Sequence, residues 1–183
     1  MIYLIGGAPR VGKSILAQNI GVSCLSTDTL CTEDTDMQFS QVMHLGTEKI
    51  VEIQLSKARS MTRPLEQFIE SQLETQTDFI LEGVHLLPSL VSNFHKKCDI
   101  DMRSIFVVSL DRELVLSGLR SDTREQNWMR SASDEMQEAM ADFVVEYSTE
   151  LKSQAEKENL SAFERTGSFQ NDIDTILGLL QKR

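Results

Sequence analysis

The sequence predicts an α/β fold in which helices cover both faces of a parallel sheet. Short apolar runs alternate with stretches of helical spacing along the whole chain, the pattern of repeated strand–helix–strand units. The first apolar run stops on Gly6-Gly7, and a short loop leads from there into a helix opening near Gly12-Lys13-Ser14. No repeat, low-complexity tract or linker interrupts the 183 residues, a length that suits one domain with a sizeable core. A single domain over 1–183 is therefore expected, with a lid segment around 115–133 where the composition turns polar.

Residues 1–5 are apolar and bounded by glycine, a strand buried on both faces. Residues 14–20 continue as a helix that stops at Gly21, a favoured residue just past a helix end. Residues 22–26 form a second strand, followed by Ser26-Thr27-Asp28-Thr29 as a loop or cap. Residues 37–46 and 48–59 have helical spacing broken at Gly46. Pro64 suits the first turn of another helix. The third strand is Phe79-Ile80-Leu81, closed by Glu82-Gly83, and a helix follows over 88–97. Residues 104–110 are rich in β-branched residues and read as the fourth strand. Asp111 can cap the next helix, and the segment 131–133 can cap a long one. The apolar stripe of that long helix, Met136, Met140, Phe143, Val144, Tyr147 and Leu151, is core. Residues 160–164 make a fifth strand and 173–180 a closing helix.

Gly7-Ala8-Pro9-Arg10-Val11-Gly12-Lys13-Ser14 fits GxxxxGK[ST] without a mismatch. A random chain of this length matches about one time in a hundred. The residue types have physical reasons. Glycines let successive backbone N–H groups curl inward toward phosphate oxygens, and the helix N-terminus adds more donors. That terminus is already the positive end of the helix dipole, so Lys13 is unfavourable there unless an anion joins it. The pattern predicts a triphosphate, with Lys13 on its β- and γ-phosphates and the Ser14 hydroxyl on Mg²⁺.

In a parallel sheet the active crevice lies beyond the carboxyl ends of the strands. Asp28 after the second strand and Glu82 after the third both fall on that rim. Asp28 can accept a proton from an attacking hydroxyl, hold Mg²⁺ through water, or simply cap a helix. Glu82 can orient Mg²⁺ or its water shell, Gly83 lets a substrate approach the backbone, and His85 can hydrogen-bond an anionic substrate or be simply a partly exposed or satisfied histidine. Arg120, Arg124 and Arg130 are candidates for a lid that brings positive charge to a transferring phosphoryl group. Arg59 and Arg63 are candidates to clamp an anionic acceptor, with a solvated face as the plain alternative. Trp128 can cover a nucleotide or anchor packing. Glu33, Asp34 and Asp36 read as a solvated loop.

The net charge is -10, with 40% apolar and 25% charged residues. This argues against a nucleic-acid partner, which needs a basic face, and against docking on an anionic membrane. Lys13, Arg59, Arg63 and Arg120 together would make the crevice positive within an acidic shell and focus anions toward it. Cys24, Cys31 and Cys98 fit no zinc or CxxC pattern, so free thiols in a reducing cytoplasm are expected. No signal peptide or apolar run of membrane-spanning length is apparent.

The stretches "MIYLIGGAPRVGKS", "LSTDTL" and "FILEGVHLLP" resemble the P-loop small-molecule and nucleoside-monophosphate kinase group, and within it 2-phosphoglycerate kinase and its relatives. The close resemblance covers about the first half of the chain. It implies a three-layer P-loop NTPase fold with sheet order 2-3-1-4-5. It also implies ATP·Mg²⁺ at the 7–14 loop, an acceptor between Asp28 and Glu82-Gly83, and lid arginines from Arg120 onward. The expected activity is ATP-dependent phosphoryl transfer to a small anionic metabolite. The alternatives are a nucleoside monophosphate kinase and a nucleotide-dependent switch that binds a partner with little turnover.

Overall fold

A computed structural model of the chain describes residues 1–30, 39–75, 77–97, 101–121 and 128–181. Five strands pair in parallel: β1 (Ile2–Gly7), β2 (Ser23–Ser26), β3 (Phe79–Gly83), β4 (Met102–Val108) and β5 (Ala162–Glu164), in the order β2-β3-β1-β4-β5. The helices are α1 (Lys13–Ile20), α2 (Phe39–Val42), α3 (Thr47–Ser60), α4 (Thr62–Thr75), α5 (Pro88–Lys97), α6 (Arg112–Ser121), α7 (Asp134–Lys157) and α8 (Phe169–Gln181). The α/β class, the five parallel strands and the order 2-3-1-4-5 are thus as expected.

Alternation along each strand divides the core between the two sheet faces. Ile5, Ile80, Ile105 and Val107 join one cluster with side chains of α1, α3, α6, α7 and α8. Leu4, Leu81 and Phe106 join the other with side chains of α4 and α5. The stripe predicted for the long helix is core: Met140, Phe143, Val144, Tyr147 and Leu151 are all buried. No helix among the described residues is long and apolar enough to cross a membrane.

Several boundaries differ from expectation, each for a local reason. β1 runs two residues past Ile5 because Gly6 and Gly7 still pair, Gly6 with Gly83 and Phe106, Gly7 with Val107. β4 stops at Val108, two residues early, because the Ser109 N–H turns to the Ser148 hydroxyl at 3.1 Å. The helix expected over 37–46 is a short α2 followed by a 3₁₀ turn at Met43–Leu45, stopped at Gly46. Pro64 is the third residue of α4, still within the first turn, where its missing N–H costs nothing. The two predicted caps form: Asp111 Oδ1 accepts from Leu114 N at 3.0 Å, and Ser133 Oγ accepts from Met136 N at 3.2 Å.

Candidate active site

The carboxyl ends of the central strands bring the site together. β1 leads into the phosphate loop, which curls back to start α1 at Lys13. Two residues make that curl. Gly12 caps the helix at φ 98°, and Arg10 sits at φ 65°. A Cβ on Gly12 would also lie 2.5 Å from Phe169 Cε2, so glycine is required there by both conformation and space. Arg10 is an uncommon non-glycine in the left-handed region. It lines the phosphate-loop cleft.

Lys13 is buried, with 6% exposure, and its Nζ donates to the Ala8 carbonyl at 2.6 Å. Burial pushes its pKa down, while the carboxylates of Glu82 and Asp28 act in the other direction. A bound phosphate would oppose the burial effect in the same sense as those carboxylates. Glu82, 5% exposed at the end of β3, accepts a hydrogen bond from Ser14 Oγ at 3.0 Å. A hydroxyl and a carboxylate held together beside a lysine are hard oxygen donors of the kind Mg²⁺ takes from protein, with phosphate and water supplying the rest. The pair fits the metal that the sequence implied.

Asp28 lies in a 3₁₀ turn, Thr27–Leu30, directly after β2. Ser26 shapes the turn: its carbonyl accepts from Thr29 Oγ1 at 2.6 Å, and its hydroxyl accepts from Asp28 N at 3.4 Å. Asp28 has a side chain 67% exposed and stands over buried His85, whose Nδ1 is 3.4 Å from Asp28 Oδ1 and 3.1 Å from Thr27 Oγ1. His85 is 3% exposed. Its contacts place it behind Asp28 and Thr27 as a support for both. Gly83 permits this arrangement. At φ 153°, a side chain there would overlap the Thr27 hydroxyl.

Two clefts meet at this rim. The first, about 670 Å³, runs from the phosphate loop past Glu82 and α6 to Arg165, Gly167 and Phe169 beyond β5. The second, about 580 Å³, lies between α2, α3 and α7 and includes His85. Asp28, Pro9, Val84 and Met140 line both.

The expected cations are distributed differently. Arg59 and Arg63 are exposed, and neither lines these two clefts; Lys57 lines the second. Arg120 is exposed and turns to α7, 3.6 Å from Glu138 and 4.0 Å from Asp134, while its neighbours Gly118, Leu119 and Ser121 line the first cleft. Arg130 is exposed, in a 3₁₀ turn at Trp128–Ser131. Arg124, Cys31, Cys98 and the acidic loop at Glu33, Asp34 and Asp36 lie outside the described residues, as does the Trp128 side chain. Cys24 is a free, exposed thiol.

Sequence reasoning missed the segment after β5. There Arg165 lies 5.1 Å over the Phe169 ring and ion-pairs with Asp172 at 3.5 Å. Buried Asp172 also accepts from the Thr166 hydroxyl at 2.7 Å. The rim argument that singled out Asp28 and Glu82 applies equally to the residue after the fifth strand, and would have found Arg165.

No family model and no curated protein matches the chain. Among solved structures it is similar to an uncharacterized protein from Eubacterium ventriosum and to shikimate kinase from Bacteroides thetaiotaomicron. Each is 12% identical at a TM-score of 0.53, over 100% of this chain and 99% of the other. At that identity the likeness concerns the fold, and it extends over the whole length: the chain shares its α/β fold with that shikimate kinase.

Proposed function

We propose that the protein is an ATP- and Mg²⁺-dependent phosphotransferase acting on a small hydroxyl-bearing molecule. The observation that carries this reading is the position of Asp28 on the wall shared by the two clefts. A nucleotide-only switch needs the first cleft; a transferase needs a second one that opens at the γ-phosphate end of the first.

In this reading the triphosphate lies in the phosphate loop, held by backbone N–H groups and by Lys13. Ser14 and Glu82 would hold Mg²⁺, which would supply positive charge against the triphosphate. The base lies toward Arg165 and Phe169, whose ring and guanidinium offer a flat, cationic surface. The acceptor hydroxyl enters from the second cleft. Its oxygen forms the new bond to the γ-phosphorus as the bond to the ADP oxygen breaks, and its proton passes to Asp28. Lys13 stabilises the charge on the transferring group, with Arg10 also on the cleft wall.

The resemblance to 2-phosphoglycerate kinase favours an anionic acceptor clamped by Arg59 and Arg63. Their placement away from the clefts weighs against that substrate and leaves the transferase reading untouched. The expected result of Asp28→Asn is a fall in acceptor-dependent kcat of about 10²–10⁴-fold, with the Kd for ATP unchanged by calorimetry. Turnover retained in this variant would remove Asp28 from the mechanism.

A further inference from the structure

We infer that the acceptor has an apolar, ring-sized body, a hydroxyl directed at Asp28 and at most one negative charge. The inference rests on the phosphotransferase reading and concerns the second cleft.

The walls of this cleft are built from Phe39, Val42, Ile50, Ile53, Met140 and Phe143. Phe39 packs on Phe143 with ring centroids 5.8 Å apart, and Phe143 stacks on Tyr147 at 5.7 Å. Phe39 and Phe143 thus present adjoining rings to the cleft, backed by buried Tyr147. Phe39 and Ile53 are only partly buried, each leaving apolar surface open to solvent. Apolar surface of this kind favours an apolar occupant and does nothing for a hydrated anion. The volume, about 580 Å³, is that of an ordinary small-molecule site.

Charge points the same way. Lys57 is the one lysine or arginine among the described residues lining the cleft, and Asp28 shares the cleft with it. A phosphorylated carboxylic acid brings about -1.5 to -2 from its phosphate, plus its carboxylate. Removing that much charge from water needs several cations or charge-assisted donors. One lysine beside an aspartate does not supply them.

Gln54 adds a specific requirement. It lines the cleft, and its Nε2 is buried without a hydrogen bond. The amide is near enough to the Tyr147 hydroxyl to favour the phenolate, although burial dominates and pushes the Tyr147 pKa up. The Tyr147 hydroxyl itself donates to the Val84 carbonyl at 2.7 Å. A buried amide donor held near the Tyr147 hydroxyl but outside good hydrogen-bond geometry is costly. A carbonyl or ring nitrogen on the acceptor body would satisfy it and exclude analogues that lack one.

The test is thermal melting of the whole chain with Mg²⁺, with and without the non-hydrolysable analogue AMP-PNP, which occupies the nucleotide cleft. The probes are adenosine, thymidine, pyridoxine and 2-phenylethanol on one side, and 2-phosphoglycerate and glycerate on the other. At least one ring-bearing alcohol should raise Tm by about 3 °C at tenfold excess over its Kd. The shift should vanish in Ile53→Asp, a change at a partly exposed wall position. Ile53→Arg should likewise lose it and gain a shift with 2-phosphoglycerate. The inference is overturned if 2-phosphoglycerate shifts the wild type and the ring alcohols do not, if no probe shifts it, or if the alcohol shift survives Ile53→Asp. AMP-PNP that fails to raise Tm sinks the phosphotransferase reading instead. A ring-alcohol shift lost in Ile53→Asp would then still establish the ligand class of the cleft.

Discussion

Replacing Lys13 by methionine should reduce acceptor-dependent turnover by about 10²–10³-fold, the cost of removing one preorganised charge from a phosphoryl transition state. Methionine fills much of the same volume. The stability change should stay within about 2 kcal/mol, because two effects oppose each other. The lysine's bond to the Ala8 carbonyl and its attraction to Glu82 are lost. The desolvation that dominates its pKa is also relieved. Glu82 keeps its hydrogen bond from Ser14. The measurements are steady-state kinetics alongside a urea denaturation curve. Turnover within about threefold of wild type would place the transferring phosphate elsewhere.

The second large effect is on stability. Gly83→Ala should cost about 3–5 kcal/mol, a large part of the stability of an ordinary domain. The backbone at φ 153° is strained for any side chain. The new Cβ would overlap the Thr27 hydroxyl and stand 2.8 Å from Thr27 Cβ. Both residues are buried, so neither can swing into solvent. Relief requires moving the turn that carries Asp28, so the folded fraction should also lose transfer activity while still binding ATP. Thr27→Gly in the same chain should restore part of the stability, a coupling that a double-mutant cycle reads directly. A loss below about 1 kcal/mol for Gly83→Ala would show that the β3 end is far softer than its burial implies.

The sharp turn from β1 into α1 was legible because its glycine pattern is written in eight consecutive residues between a strand and a helix. The placement of Asp28 and Glu82 was legible because Glu82 lies at the end of a strand and Asp28 in the turn after one, and parallel sheets collect such residues on one rim. The distal cations were harder, because helix phase decides them. Ile50, Gln54 and Lys57 share one stripe of α3 and line the second cleft, whereas Arg59 falls off that stripe. On α6 the stripe is Leu114, Ser117, Gly118 and Ser121, and Arg120 again falls off it, toward the acids of α7. A periodicity count identifies a helix. Which face meets the cleft depends on how that helix packs, here against α7 and the sheet. His85 shows a related limit: its spacing after β3 was visible, but its burial behind Thr27 and Asp28 comes only from the register of β2 on β3.

The decisive measurement is the fate of the γ-phosphate. Wild-type protein is incubated with ATP and Mg²⁺ and a panel of ring-bearing alcohols and small anions, and the products are followed by ³¹P NMR. A phosphotransferase with this site forms ADP and a new phosphoester in equal amounts, and both disappear in Lys13→Met and Asp28→Asn. Failure to bind ATP at millimolar concentration, or ADP release that is indifferent to every acceptor and to Asp28→Asn, would contradict it.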